Sequence, residues 1–210
     1  MPVDISILPA FLAASFLLAI SPGPDLLLVS SYSGARGVTA GVLVAFGIAV
    51  AGVVQTAAVA LGFATLMESA PAVATMIRLG GAAYFLVVGL RLLLGKRASR
   101  DRPDSNVRPA PRRRLVIHGM ANNLLNPKAL LFFGVFLPGF ATGSGPIWVQ
   151  LTTLGLLLTT VALAVNLVVA LAFGSVGSRI RRGFAARSRK VEVALGVMFI
   201  GLSTRLATNR

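Results

Sequence analysis

Long apolar segments separated by short polar ones dominate the chain, and their lengths predict membrane-spanning helices. Six such segments cover residues 8–33, 38–66, 71–94, 115–138, 147–174 and 191–207. A helix of roughly 20 apolar residues spans the ~30 Å hydrocarbon layer of a bilayer. A bilayer admits only helices or closed barrels, and apolar and polar positions do not alternate along these segments, so we expect helices throughout. The pattern predicts an all-α membrane protein with six transmembrane helices.

The composition supports this class and excludes several kinds of chemistry. The chain is 56% hydrophobic and 12% charged, with a mean hydropathy of +0.84, which is typical of an integral membrane protein rather than a soluble helical one. It has no cysteine, which excludes disulfides, thiolate metal sites and cysteine nucleophiles. One histidine and six carboxylates leave no acid pair or ligand cluster. We therefore expect no enzyme activity, no metal and no cofactor.

Basic residues concentrate in two loops, which predicts the orientation of the chain. The net charge is +14, and most of it lies in residues 95–114 and 178–190. Short basic loops between apolar helices stay cytoplasmic, where they meet anionic lipid heads, so nucleic acid is not the expected partner. Six spans then place both termini in the periplasm. No Lys or Arg precedes Arg36, so the first segment lacks the basic region of a cleavable signal peptide and is expected to remain as a span.

The chain divides into two halves of three helices each, within one transporter domain covering residues 1–210. Residues 1–94 and 115–210 flank the basic cytoplasmic loop 95–114, so one half begins outside and the other inside. Pro22 and Pro127 lie 105 positions apart (127 − 22), each in the first helix of its half. Inverted three-helix repeats with a broken first helix are typical of secondary transporters. We therefore predict two inverted repeats.

The two proline-containing motifs are the candidate translocation site. Proline removes a backbone donor and blocks a helical hydrogen bond, so its neighbours must be satisfied by protein or by a water-filled cavity. The freed amides and carbonyls, with the half-helix dipoles, provide donors for an anionic group and acceptors for a cationic group of a bound ligand. The predicted substrate-binding residues are Ser21, Pro22, Gly23, Pro24, Asp25, Asn123, Asn126, Pro127 and Lys128.

Asp25 and Lys128 are the ionisable groups deepest in apolar surroundings. A charge at that depth costs at least about 2.5–3.5 kcal/mol, which favours a role for both. We predict that they pair across the two halves and that Asp25 couples transport to protons. Alternatively, Asp25 only caps the helix after Pro24, and Lys128 only snorkels or forms a structural pair. Asn126, likewise, could merely cap the half-helix that starts at Pro127.

Several other polar residues have two readings. Gln55, Asn122, Asn123 and Asn166 lie in apolar segments, where they would either line a pathway or form interhelical hydrogen bonds. His118 directly follows the basic loop and is expected at the membrane interface rather than in a proton relay.

Four groups of residues follow one another along nearly the whole chain: Ser21-Pro22-Gly23-Pro24-Asp25; Arg78-Leu79-Gly80-Gly81-Ala82-Ala83-Tyr84-Phe85-Leu86 with Gly89; Gly119 with Asn123-Leu124-Leu125-Asn126-Pro127-Lys128-Ala129 and Phe132-Phe133; and Leu195-Gly196 with Gly201-Leu202. In this order they resemble the LysE/RhtB family of amino-acid exporters. The resemblance implies export of amino acids or their derivatives across the bacterial inner membrane, driven by the proton gradient. The implied partners are the amino acid, protons and membrane lipid; a homo-oligomer is left open.

Two other functions compete with amino-acid export. A cation or metal-ion exporter on a related architecture would need several ligands converging within the spans, and only Asp25 is available. A membrane enzyme or redox carrier is disfavoured by the missing cysteines and acid pairs.

Overall fold

A computed structural model describes residues 3–94, 111–141 and 145–176, and most of 193–207. Within these ranges the chain is helical and contains no strand. A 3-10 turn, Ile5–Ile7, leads into the first helix. The helices are α1 Leu8–Ile20, α2 Pro24–Arg36, α3 Val38–Ser69, α4 Pro71–Leu93, α5 Arg112–Leu124, α6 Pro127–Leu131, a π-helical turn Phe132–Phe136, α7 Leu137–Gly139 and α8 Ile147–Val176. Helical residues also recur between 193 and 207.

Both breaks predicted from the prolines are present. The first predicted helix consists of α1 and α2, which are bent by 53° at the break. Gly23 there is extended, with φ −160° and ψ 175°, and α2 begins at Pro24. The fourth predicted helix is broken between α5 and α6, where Asn126 is extended and Pro127 opens the new helix. In both places the proline has no amide hydrogen to continue the preceding helix, so the chain restarts one.

Within the part of the chain that the structure describes, two helices are long and apolar enough to cross a bilayer, by length and composition. They are α3, over Val38–Gly62, and α8, over Ile147–Ser175, and the bent pair α1–α2 counts as a third if taken as one span. Six spans thus stay a prediction. Most of the two basic loops, residues 95–110 and 177–192, lies outside the described residues.

The long helices α3 and α8 pack antiparallel at the centre. Gly52 of α3 lies against Thr159 of α8, and Gly155 of α8 lies against Thr56 of α3. Both threonines donate to a carbonyl one turn earlier in their own helix, Thr56 to Gly52 at 2.8 Å and Thr159 to Gly155 at 2.9 Å. Small residues facing each other in this way let the two backbones approach closely.

Helix α5 crosses the other side of α3 with even closer backbone contact. A Cβ atom built on Gly47 of α3 would overlap the carbonyl oxygen of Val116, and one built on Gly119 of α5 would overlap that of Val44. This crossing holds the C-terminal end of α5 close to α2, which fixes the position of the polar residues described below.

Apolar side chains fill the interior and also cover much of the outer surface. Phe11 of α1 packs against Phe136 and Phe140, with ring centroids 5.6 and 5.3 Å away. Large apolar side chains that stay exposed include Phe16, Phe46, Leu61, Met76, Leu79, Val168 and Leu171. An apolar exterior of this extent fits contact with lipid rather than water.

Candidate functional site

A cavity of about 80 Å³ lies between the two proline breaks. One water needs about 10–15 Å³, so the space admits a ligand of several non-hydrogen atoms. Of the predicted site residues, Ser21, Gly23, Asp25, Asn123, Asn126 and Lys128 line it. Pro22, Pro24 and Pro127 shape the breaks without lining the cavity. The structure therefore brings together polar groups of two motifs that are about one hundred positions apart in the sequence.

The Asp25 carboxylate is held by two amides of the second half. Asn122 Nδ2 donates to Oδ1 at 2.6 Å, and Asn123 Nδ2 donates to Oδ2 at 2.7 Å. Asp25 lies in the first turn of α2, where the helix dipole favours a negative charge. Asn122 was not among the predicted site residues, although its position beside Asn123 just before the second break was a signal that could have identified it.

The Lys128 ammonium reaches the other broken end. Its Nζ donates to the carbonyl oxygens of Leu18 at 3.0 Å and Ser21 at 3.1 Å, at the C-terminal end of α1. The Leu18 oxygen also accepts from the Ser21 amide, at 3.1 Å. Carbonyls at a helix C-terminus carry partial negative charge, so they attract a cation. Gly23 leaves room for the side chain, since a Cβ atom there would lie 3.3 Å from Nζ.

Asp25 and Lys128, which we predicted to pair across the two halves, line the same cavity without forming a salt bridge. Lys128 bonds to main-chain carbonyls and Asp25 to side-chain amides. The carbonyls at the first break attract the ammonium, so its hydrogen bonds go to them. The two charges share one cavity instead of forming a contact.

Asn126 and its neighbours complete the polar part of the site. Asn126 Oδ1 accepts from the Lys128 amide at 3.0 Å, so it caps α6, as one of its two readings predicted, and it also lines the cavity. Gln55 Nε2 donates weakly to the Asn123 carbonyl at 3.4 Å. Gln55 Oε1 and Asn123 Oδ1 are buried and accept no hydrogen bond from the described residues. Such buried acceptors are costly unless a ligand or water donates to them.

Apolar side chains form the rest of the cavity wall. Phe132 and Phe133, in the π-helical turn, both line it. π-helical turns are rare in proteins, and those that do occur are often found at functional sites. The other lining residues are Leu18, Ala19, Leu26, Ile48, Ala49, Gly52, Ala129, Leu158, Thr159, Ala162, Leu163 and Asn166. Asn166 thus lines the cavity, one of the two readings that the sequence left open for it.

The single histidine lies outside this cavity. The Tyr32 hydroxyl and His118 Nδ1 are 2.8 Å apart, joining α2 to α5. Among the described residues, no group of three or more His, Cys, Asp or Glu side chains comes close enough to hold a metal ion.

Comparison with known proteins identifies similar sequences. Residues 16–210 match the family model described as LysE type translocator. The chain is 28% identical over 206 residues to the leucine efflux protein of Klebsiella pneumoniae subsp. pneumoniae, covering 94% of this chain and 93% of that protein. It is 29% identical over 206 residues to the threonine efflux protein of Escherichia coli K12, covering 91% and 92%. No solved structure matches the chain significantly.

Proposed function

Because this chain belongs to the LysE type translocator family, we propose that it exports amino acids from the bacterial cytoplasm across the inner membrane in exchange for protons. The observation that carries this function is the cavity between the two breaks, which holds one carboxylate, one ammonium, main-chain carbonyls and asparagine side chains, among them the unpaired Oδ1 of Asn123. An amino-acid zwitterion needs donors at one end and acceptors at the other, and the cavity offers both.

The walls of the cavity favour an uncharged substrate side chain. Phe132, Phe133, Leu158 and Leu163 surround the space left beside the polar groups, and Asp25 and Lys128 are the only ionisable residues that line it. An apolar wall binds an aliphatic group by the area that it removes from water, about 25 cal/mol per Å². Leucine and threonine, which name the efflux proteins similar to this chain, are the first substrates to test.

Corresponding helices of the two halves touch each other, which supports the inverted six-span repeat. Pro22 and Pro127 mark the breaks at an offset of 105 (127 − 22). Gly52 and Gly155, at an offset of 103 (155 − 52), both lie at the α3–α8 crossing, where each contacts a threonine of the other helix. Gly89 and Gly196, at 107 (196 − 89), meet where α4 contacts the last helical segment. Three pairs with nearly one offset are expected from an axis that relates inverted halves.

Asp25 is our candidate for the proton-binding group. Among the described residues that line the cavity it is the only carboxylate, and its partners Asn122 and Asn123 belong to the other half. Hydrogen bonds from amides favour the charged form of a carboxyl group. If the halves move apart during transport while the carboxyl group stays buried, it loses these donors and would gain a proton, and it would release that proton when the amides return.

Reconstituted vesicles provide the test. Proteoliposomes containing the protein are loaded with radiolabelled leucine or threonine, and efflux is followed with and without an imposed proton gradient. We expect wild-type protein to move one of them uphill with the gradient. Asp25→Asn should lose uphill export and keep downhill exchange, because the amide binds without titrating. The matched control is Asp4→Asn, which changes an exposed carboxylate that caps the first turn.

Two outcomes would overturn the proposal. Absence of uphill export of any amino acid by folded wild-type protein would contradict amino-acid export. Normal uphill export by Asp25→Asn combined with Lys128→Met would mean that the proton is carried elsewhere and that these charges are structural.

A further inference from the structure

Lys128 occupies the position where the ammonium group of a substrate would be expected to bind. Half-helix C-termini and unwound carbonyls are cation sites in broken-helix transporters. Here the Leu18 and Ser21 carbonyls, which form that kind of site, already accept from the Lys128 ammonium. Two ammonium groups on the same carbonyls would repel each other, so we expect entry of a second ammonium to displace Lys128 from its carbonyl partners.

The rest of the cavity offers the displaced ammonium no free carboxylate. Among the described residues that line it, Asp25 is the only carboxylate, and each of its oxygens already accepts from an asparagine amide, whereas the unpaired Asn123 Oδ1 is an uncharged acceptor. An ammonium that leaves its partners without gaining an anion is costly in a site of low polarity. A substrate that brings its own carboxylate removes this cost, because that carboxylate becomes the new partner of Lys128.

We propose that Lys128 makes the cavity selective for molecules that carry a carboxylate beside their ammonium group, and so excludes simple amines. This inference rests on the proposed amino-acid export and adds the residue that imposes the zwitterion requirement. An amino acid adds no net charge to the cavity. A primary amine of the same shape adds one positive charge and leaves the Lys128 ammonium without an anionic partner.

The probe that separates the two cases is 3-methylbutylamine, which is leucine without its carboxylate. In wild-type protein, the amine should compete with radiolabelled leucine about 10- to 150-fold less well than unlabelled leucine does. This ratio of affinities corresponds to the free energy of one hydrogen bond to a charged group. Lys128→Met should bind the amine in preference to leucine. In this variant the Leu18 and Ser21 carbonyls are free to accept from the ammonium of the amine, and no lysine ammonium is present to bind the carboxylate of leucine. Lys128→Arg should restore the wild-type preference. Arg113→Met, which removes a positive charge at the exposed start of α5, is the matched control.

The measurements are radiolabelled leucine binding in detergent with each competitor, and thermal unfolding of every variant to establish that it is folded. Equal competition by the amine and leucine in wild-type protein would refute the proposal, whether or not the variants fold. It would also be refuted if folded Lys128→Met still bound leucine in strong preference to the amine. Leucine binding and vesicle efflux are measured separately. A failure of proton-driven export would appear only in the efflux measurement, and the relative competition by the amine and by leucine would still test this inference.

Discussion

Replacing Gly47 by alanine should destabilise the protein through the crossing of α3 and α5. The added Cβ atom would overlap the Val116 carbonyl oxygen and would lie 2.8 Å from its carbonyl carbon and 3.0 Å from the Met120 nitrogen. These are main-chain atoms of a helix, so no side-chain rotation relieves the contact, and α5 has to move away from α3.

The size of the effect follows from two opposing contributions. Overpacking a tight interior costs about 1–3 kcal/mol, and a clash with main-chain atoms belongs at the upper end. Alanine in place of glycine within a helix gains about 0.8–1.0 kcal/mol. We therefore expect Gly47→Ala to lower the free energy of unfolding by about 2 kcal/mol, the difference between these contributions. Gly62 in the same helix has no atom within 4 Å of an added Cβ. We therefore expect Gly62→Ala to show only the stabilisation that alanine gives a helix.

Thermal or denaturant unfolding in detergent micelles measures the two variants side by side. Gly47→Ala should be less stable than Gly62→Ala by about 3 kcal/mol. Leucine export by Gly47→Ala should fall further than its folded fraction, because a shifted α5 carries Asn122 and Asn123 away from Asp25. Equal stability of the two variants would refute the close α3–α5 approach, and unaltered export by a destabilised Gly47→Ala would refute its link to the site.

Three further predictions concern the breaks, the site and the orientation. Pro22→Ala combined with Pro24→Ala should restore helical hydrogen bonds, straighten the 53° bend and abolish efflux from vesicles that still contain inserted protein; wild-type efflux would make the break incidental. Asn122→Ala should lower the free energy of unfolding by about 1.5–3 kcal/mol, because one Asp25 oxygen loses its donor, and no loss would contradict that hydrogen bond. Labels at both termini should report the periplasm, and labels near Arg102 and Ser188 the cytoplasm; a cytoplasmic C-terminus would contradict six inverted spans.

The breaks were predictable because their cause is local. A proline interrupts a helix by its own covalent structure, so Pro22 and Pro127 marked both positions without any knowledge of the tertiary fold. The helical segments were predictable for the same kind of reason, since their apolar length alone favours a helix. Capping of α6 by Asn126 also depends only on residues next to it.

The partners of the charges were not predictable in this way. The opposite charges of the two motifs suggested that they pair, but the Lys128 ammonium bonds to the Leu18 and Ser21 carbonyls, and the break alone does not show which donor those carbonyls receive. Asn122 and Asn123 point to the same carboxylate only because the crossing of α3 and α5 fixes the end of α5. The contribution of Phe132 and Phe133 depends on a π-helical turn, which apolar periodicity does not distinguish from an α-helix.

The lengths of the central helices make the protein sensitive to the thickness of its bilayer. At 1.5 Å per residue, the 29-residue apolar segment Ile147–Ser175 extends about 43 Å, against a hydrocarbon layer of ~30 Å. The segment therefore fits only by tilting, by projecting beyond the acyl chains or by thickening the lipid around it, at fractions of a kcal/mol per Å. A change in tilt of α8 acts on its antiparallel partner α3, and both helices contribute to the cavity wall. Acyl-chain length thus becomes a variable that sets transport rate, and variants compared in lipids of different length would differ for reasons unrelated to their substitutions.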